Sequence, residues 1–149
     1  MDSIEDLLPY PCLLCGSRVG VRYPSGWICA VCEWRHGEVP DGDLAPPRLD
    51  VVYYVRQGDR VKIGTTANPR QRLGAILHEE VLAFERGDRR LERVRHEQFA
   101  ADRFPGSEWF RMTPALAAHI DVIAGGRDPW DVHARWRSEL LALRGLGRD

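Results

Sequence analysis

Apolar and polar residues alternate most clearly in the middle of the chain. Val51-Val52-Tyr53-Tyr54-Val55-Arg56 is dense in β-branched and aromatic residues, and Arg60 to Thr65 forms a second such run. Only Gln57-Gly58-Asp59 lies between them, so the pair predicts an antiparallel hairpin. Glu80 to Glu85, EVLAFE, alternates as a third strand. Asn68-Pro69 marks a helix start, with Asn as N-cap and Pro in the first turn. The helix expected over PRQRLGAILHEE places Leu73, Ile76 and Leu77 on one face and Arg72 on its flank. After Arg86-Gly87-Asp88, RRLERVRHEQFAADRF returns to helical spacing. Leu91 and Val94 read as its core stripe, and Glu92, His96 and Phe99 share an adjacent face. Thr113-Pro114 opens a further helix through Val122, and Asp128-Pro129 an amphipathic one through Leu143. The fold class expected is α+β, a small mixed or antiparallel three-stranded sheet flanked by helices.

The first 35 residues follow a different logic. Cys12-Leu13-Leu14-Cys15 and Cys29-Ala30-Val31-Cys32 are two C-x-x-C pairs, the spacing of a four-thiolate zinc site. GSRVGVRYPSGWI between them reads as a hairpin turning at Pro24-Ser25-Gly26. Two disulfides or two unrelated redox pairs are the alternatives, the first disfavoured in an unexported chain and the second by the lack of any thioredoxin-like βαβ pattern. Four thiolates leave no open position on a metal, so structural Zn²⁺ is expected, and a module this small draws much of its folding energy from it. Residues 36–50, HGEVPDGDLAPPRLD, have the composition of a linker. The domain plan is therefore a zinc ribbon over 1–35, a linker over 36–50, an α+β domain over 51–124, and a C-terminal helix in 125–149 packing on that domain.

Charge changes the picture slightly. The net charge of −1 over 149 residues divides unevenly, because residues 1–50 hold eight acids against four arginines. The remainder holds seventeen basic residues against fourteen acids, a mild bias compatible with a phosphate-bearing partner. No apolar run approaches the roughly 20 residues of a membrane span, and the N-terminus is acidic. A cytoplasmic protein without a membrane partner is expected. The ribbon and the last helix are candidate protein-binding surfaces.

Lys62 is the chain's one lysine, at the end of a β-branched run and just before Ile63-Gly64. Val51-Val52-Tyr53, then Lys62-Ile63-Gly64, then Arg72 on the next helix and Glu92 on the one after form an ordered set. This set resembles the GIY-YIG nuclease superfamily, and most closely its phage-type branch, sometimes called the meiotically up-regulated gene family. In that branch Lys-Ile-Gly replaces Tyr-Ile-Gly and the helix carries E-x-x-x-H, here Glu92 and His96. Gly106-Ser107-Glu108-Trp109-Phe110 is similar to its Gly-Glu-Trp-Phe box, with Ser107 inserted. The resemblance implies a metal-dependent endonuclease acting on nucleic acid, DNA in the first instance. It implies Glu92 as ligand of one catalytic Mg²⁺ or Mn²⁺, Arg72 on the phosphate, and Tyr53 as base assisted by Lys62. Tyr54 is the alternative to Tyr53, since strand register decides which ring faces the site. His96 would orient Glu92 or relay a proton. Gly64 lets a phosphate or helix approach the backbone closely. Arg70, Arg89 and Arg95 are candidate substrate contacts, with Tyr54 and Gly64. A non-cleaving nucleic-acid-binding module on the same fold is the competing reading.

Overall fold

The computed structural model describes residues 5–39 and 47–146. The chain divides into two units, Met1–Pro47 with Trp130–Asp149, and Arg48–Pro129.

In the first unit, β1 (Glu5–Leu7), β2 (Val19–Tyr23) and β3 (Gly26–Cys29) form an antiparallel sheet in that order. The β2–β3 hairpin turns through Pro24-Ser25, and Gly26 takes a φ of 127° that a side chain would resist. Leu8, Cys12, Cys29, Cys32 and Trp34 make the core, with Trp34 Nε1 donating to the Glu38 carbonyl at 2.9 Å. β1 was not expected from sequence. Its three residues show no alternation long enough to register.

In the second unit, β4 (Val51–Gln57) and β5 (Arg60–Thr66) are the expected hairpin, closed by Gly58-Asp59 with Gly58 at φ 62°. Helix α1 is shorter than expected. It spans Pro69–Gly74, capped by Asn68, whose side-chain oxygen accepts from the Gln71 amide at 3.3 Å. The helix ends at Gly74, a poor helix former, so Leu73 is buried while Leu77 is 80% exposed.

β6 (Glu80–Arg86) follows, then α2 (Arg89–Gln98), capped by Asp88, whose carboxylate accepts from the Arg90 amide at 2.9 Å. Its inner stripe is rotated from the expected one. Leu91 packs against the core, Arg95 is half-buried and Phe99 is buried, whereas Val94 is 52% exposed. The i, i+4, i+8 spacing of 91, 95 and 99 explains the rotation, because Phe99 anchors the helix end and draws Arg95 inward.

A 3₁₀ turn (Ala100–Asp102) leads to β7 (Trp109–Arg111), a fourth strand where three were expected, and the sheet order is β6-β4-β5-β7, antiparallel throughout. Phe110 fixes this edge and is completely buried. α3 (Pro114–Ala124) is capped by Thr113 and ended by left-handed Gly125. It lays Leu116 and Ile120 on the core of Val52, Tyr54, Val61, Ile63 and Ala83.

α4 (Pro129–Leu146) differs from the expected plan, since from Trp130 it groups with the first unit. Ala134 and Leu141 pack against the cysteine core, and Arg135 pairs with Glu33 at 3.3 Å. A ribbon-sized module cannot enclose its own apolar surface, and α4 supplies the cover. Of the expected linker, residues 40–46 lie outside the described residues. Before them, His36 belongs to the first unit, its ring 4.0 Å from that of Tyr10 and its amide donating to the Trp27 carbonyl. Among the described residues no helix is long and apolar enough to cross a membrane.

Candidate active site and metal centre

Strand alternation gives the second unit's sheet two different faces. Tyr53 pairs with Gly64 across the β4–β5 ladder, Val55 with Lys62, and Lys62 in turn with Trp109 on β7. These residues therefore share one face, and Val52, Tyr54, Val61, Ile63 and Phe110 point to the core on the other.

Tyr53 is buried, with its ring lying over Gly64. A Cβ built at 64 would overlap the Tyr53 hydroxyl and Cζ, so the absent side chain is what admits the ring. Gly64→Ala is expected to displace Tyr53 and destabilise the unit by about 1–3 kcal/mol. A thermal midpoint equal to that of the parent would contradict this packing.

Burial pushes the Tyr53 hydroxyl above its ordinary pKa of 10.0, partly offset by the nearby Arg72 guanidinium. The charges of Glu108 and Glu92 add to the upward push, so both carboxylates lie within electrostatic reach of the phenol. Arg72 is itself exposed and carries the contact from the buried ring to solvent. Lys62 Nζ is 3.9 Å from a Glu108 carboxylate oxygen and 5.8 Å from the Trp109 ring centroid. His96 Nε2 lies 2.8 Å from the Ile63 carbonyl oxygen. A carbonyl only accepts, so Nε2 bears a proton and donates it.

Tyr53 lies over Gly64 and Lys62 stands two residues along the same face, Arg72, Glu92 and Glu108 all act electrostatically on the phenol, and His96 meets the Ile63 carbonyl beside Gly64. Two expected substrate contacts are engaged elsewhere. Tyr54 faces the core, where its hydroxyl donates to Glu85 Oε1 at 2.9 Å and meets His119 Nε2 at 3.2 Å. Arg95 clamps the same Glu85 through bonds of 2.9 and 2.5 Å. Burial alone would push Glu85 up, but Arg95 and Tyr54 together hold its carboxylate below the usual range. Tyr54 and Arg95 are thus both engaged with Glu85. Register turns the first inward, and a carboxylate occupies the second. Arg89 is exposed at the start of α2, and Arg70 is exposed on α1.

The first unit brings Cys12, Cys15, Cys29 and Cys32 together, all four sulfurs within 4.8 Å of one another. The Cys12–Cys32 and Cys15–Cys29 separations are 3.7 and 3.5 Å. Tetrahedral thiolates at a Zn–S distance of about 2.3 Å would stand roughly 3.8 Å apart, whereas a disulfide needs about 2.05 Å. The four thiols are free of disulfides. The amides of Val31 and Cys32 donate to Cys29 and hold it below the ordinary thiol value despite burial, whereas burial pushes Cys15 up to about 11. Four cysteines are placed to hold a metal ion, and the geometry suits structural zinc.

Residues 50–124, half of the chain, match the model of the T5orf172 domain. The chain belongs to the T5orf172 domain family. Comparison with curated proteins and with solved structures gives no match. The matched T5orf172 span contains Tyr53, Lys62, Gly64, Arg72, Glu92, His96 and Glu108 and points to a nuclease-like or nucleic-acid-binding module, with the cysteine cluster outside it. The resemblance to the Gly-Glu-Trp-Phe box covers Glu108 without assigning it to the site. Its sign was the carboxylate one position before a strand that pairs with Lys62.

Proposed function

We propose that this chain is a metal-dependent endonuclease of the GIY-YIG type, hydrolysing phosphodiester bonds in nucleic acid, with DNA as the first substrate to test. The observation carrying this reading is the phenol of Tyr53, seated over Gly64, with the Arg72 guanidinium and the Glu92 and Glu108 carboxylates near enough to act on it electrostatically. The acidic oxygen donors suit a hard cation such as Mg²⁺ or Mn²⁺. Glu92 would hold that ion, which when bound supplies Lewis-acid stabilisation of the leaving oxygen.

Arg72, exposed beside the phenol, neutralises the phosphoryl oxygens with a planar fork of donors. Tyr53 as phenolate takes a proton from water, whose oxygen attacks phosphorus as the ester oxygen departs. Lys62, half-buried and tied to Glu108, keeps a positive charge on this face and favours the phenolate. His96 donates to the Ile63 carbonyl and so fixes α2, and Glu92 with it, against β5.

The raised pKa of Tyr53 has a consequence with a definite sign. The neutral phenol dominates at neutral pH, so activity rests on the phenolate fraction, which grows about tenfold per pH unit below the pKa. Cleavage is expected to rise with pH and to be lost as pH falls. The check is plasmid nicking by the full chain across pH with added Mg²⁺ or Mn²⁺. A rate that is flat or falls with rising pH would remove Tyr53 as base, and no cleavage of linear, branched or single-stranded DNA or RNA under either ion would remove the enzyme.

A second reading is a binding module that does not cut, favoured by the lysine at 62 and the near-zero net charge. Salt-dependent binding without cleavage would support it.

A further inference from the structure

The face that carries Tyr53 and Gly64 continues along β5. Strand alternation places Arg60, Lys62 and Gly64 on one side of β5, and the register sets Arg60 directly opposite Arg111 and Lys62 opposite Trp109. Two like charges placed opposite each other across a ladder repel. Here they share one aromatic platform, with the Arg60 guanidinium carbon 4.2 Å and that of Arg111 5.7 Å from the centroid of the Phe104 ring. A ring orients arginines without neutralising them. Among the described residues neither arginine has a carboxylate partner, and both are exposed. Three other arginines of this unit are instead paired with carboxylates. Arg56 pairs with Glu79 and Glu80, Arg95 with Glu85, and Arg48 with Asp50.

We propose that the β5–β7 edge is a track for the phosphodiester backbone leading out of the site, in which Arg60 and Arg111, splayed on Phe104, grip phosphates a few nucleotides from the scissile bond. Arg60 lies four residue steps along the strand from Gly64, about 14 Å at roughly 3.4 Å per residue. That length spans about four phosphates of one strand at 3.4 Å per nucleotide along a duplex. Lys62, between the two ends, continues the positive line, with Glu108 at 3.9 Å offsetting part of its charge. The contacts are to phosphate, so the track carries no base sequence information.

This inference rests on the nucleic-acid-directed reading of the second unit but is tested apart from cleavage. The measurement is fluorescence anisotropy of labelled DNA and RNA oligonucleotides, duplex and single-stranded, with the full chain and no added Mg²⁺ or Mn²⁺, over a salt series. Arg60→Gln/Arg111→Gln is expected to weaken binding about tenfold or more at low salt and to reduce the salt slope by about 2. Arg127→Gln, exposed at the end of α3, is the control and should bind as the parent does. Thermal melts establish that the variants fold, and Arg60→Lys/Arg111→Lys should restore most of the loss through charge alone. Parent-like binding by the glutamine pair, or an equal loss in the Arg127 control, overturns the track while leaving the nuclease reading intact. Failure of the parent to bind any oligonucleotide at low salt overturns both.

Discussion

Tyr53→Phe is expected to lower phosphodiester cleavage about 10²–10⁴-fold, the range for loss of a general base, with little change in stability. The substitution deletes only the hydroxyl, so the ring still fills the space above Gly64. Arg72→Ala is expected to cost about 10²–10³-fold, as for removal of a donor to a charged transition state. The two groups interact electrostatically, so their losses should not add, and the double variant should fall little below the weaker single one. Single-turnover rates of the three variants with saturating metal check this. Fully multiplicative losses would mean that the phenol and guanidinium act at separate places.

The second large effect concerns the cysteines. Stripping metal with a strong chelator, or Cys32→Ser, is expected to unfold the first unit and leave the second folded. Structural zinc contributes about 10–16 kcal/mol in small modules, more than a three-stranded sheet of this size can replace. Cys32 and Trp34 are both buried in that core, so the tryptophan environment should change together with metal loss. Metal content by atomic spectroscopy, followed alongside near-ultraviolet dichroism, provides the test. A chelated chain that keeps its tryptophan signal would show that the sulfurs are not what holds the unit together.

Much of this arrangement was legible because short-range rules govern it. The β4–β5 hairpin rests on dense β-formers around a two-residue turn, and Asn68-Pro69 starts a helix whatever lies around it. The cysteine spacing specified its cluster because a metal needs only local knuckles to assemble four ligands. Features decided at longer range were not legible. Whether Tyr53 or Tyr54 faced the site depended on register against Gly64 and Phe84, which the sequence states only as two adjacent tyrosines. Arg95 resembled a surface arginine until Phe99 fixed the rotation of α2 and placed it on Glu85. The home of α4 was decided by which unit lacked cover, a property of surfaces that no local pattern carries.

The position of Glu92 bears most of the chemical weight, since Tyr53 and Arg72 can touch a phosphate without cutting it. The most direct measurement is nicking of supercoiled plasmid by the parent chain and by Glu92→Ala, side by side, in Mg²⁺ and in Mn²⁺. The account predicts metal-dependent nicking by the parent and its loss in the variant at every metal concentration, with DNA binding retained. Cleavage by Glu92→Ala at the parent's rate would contradict it.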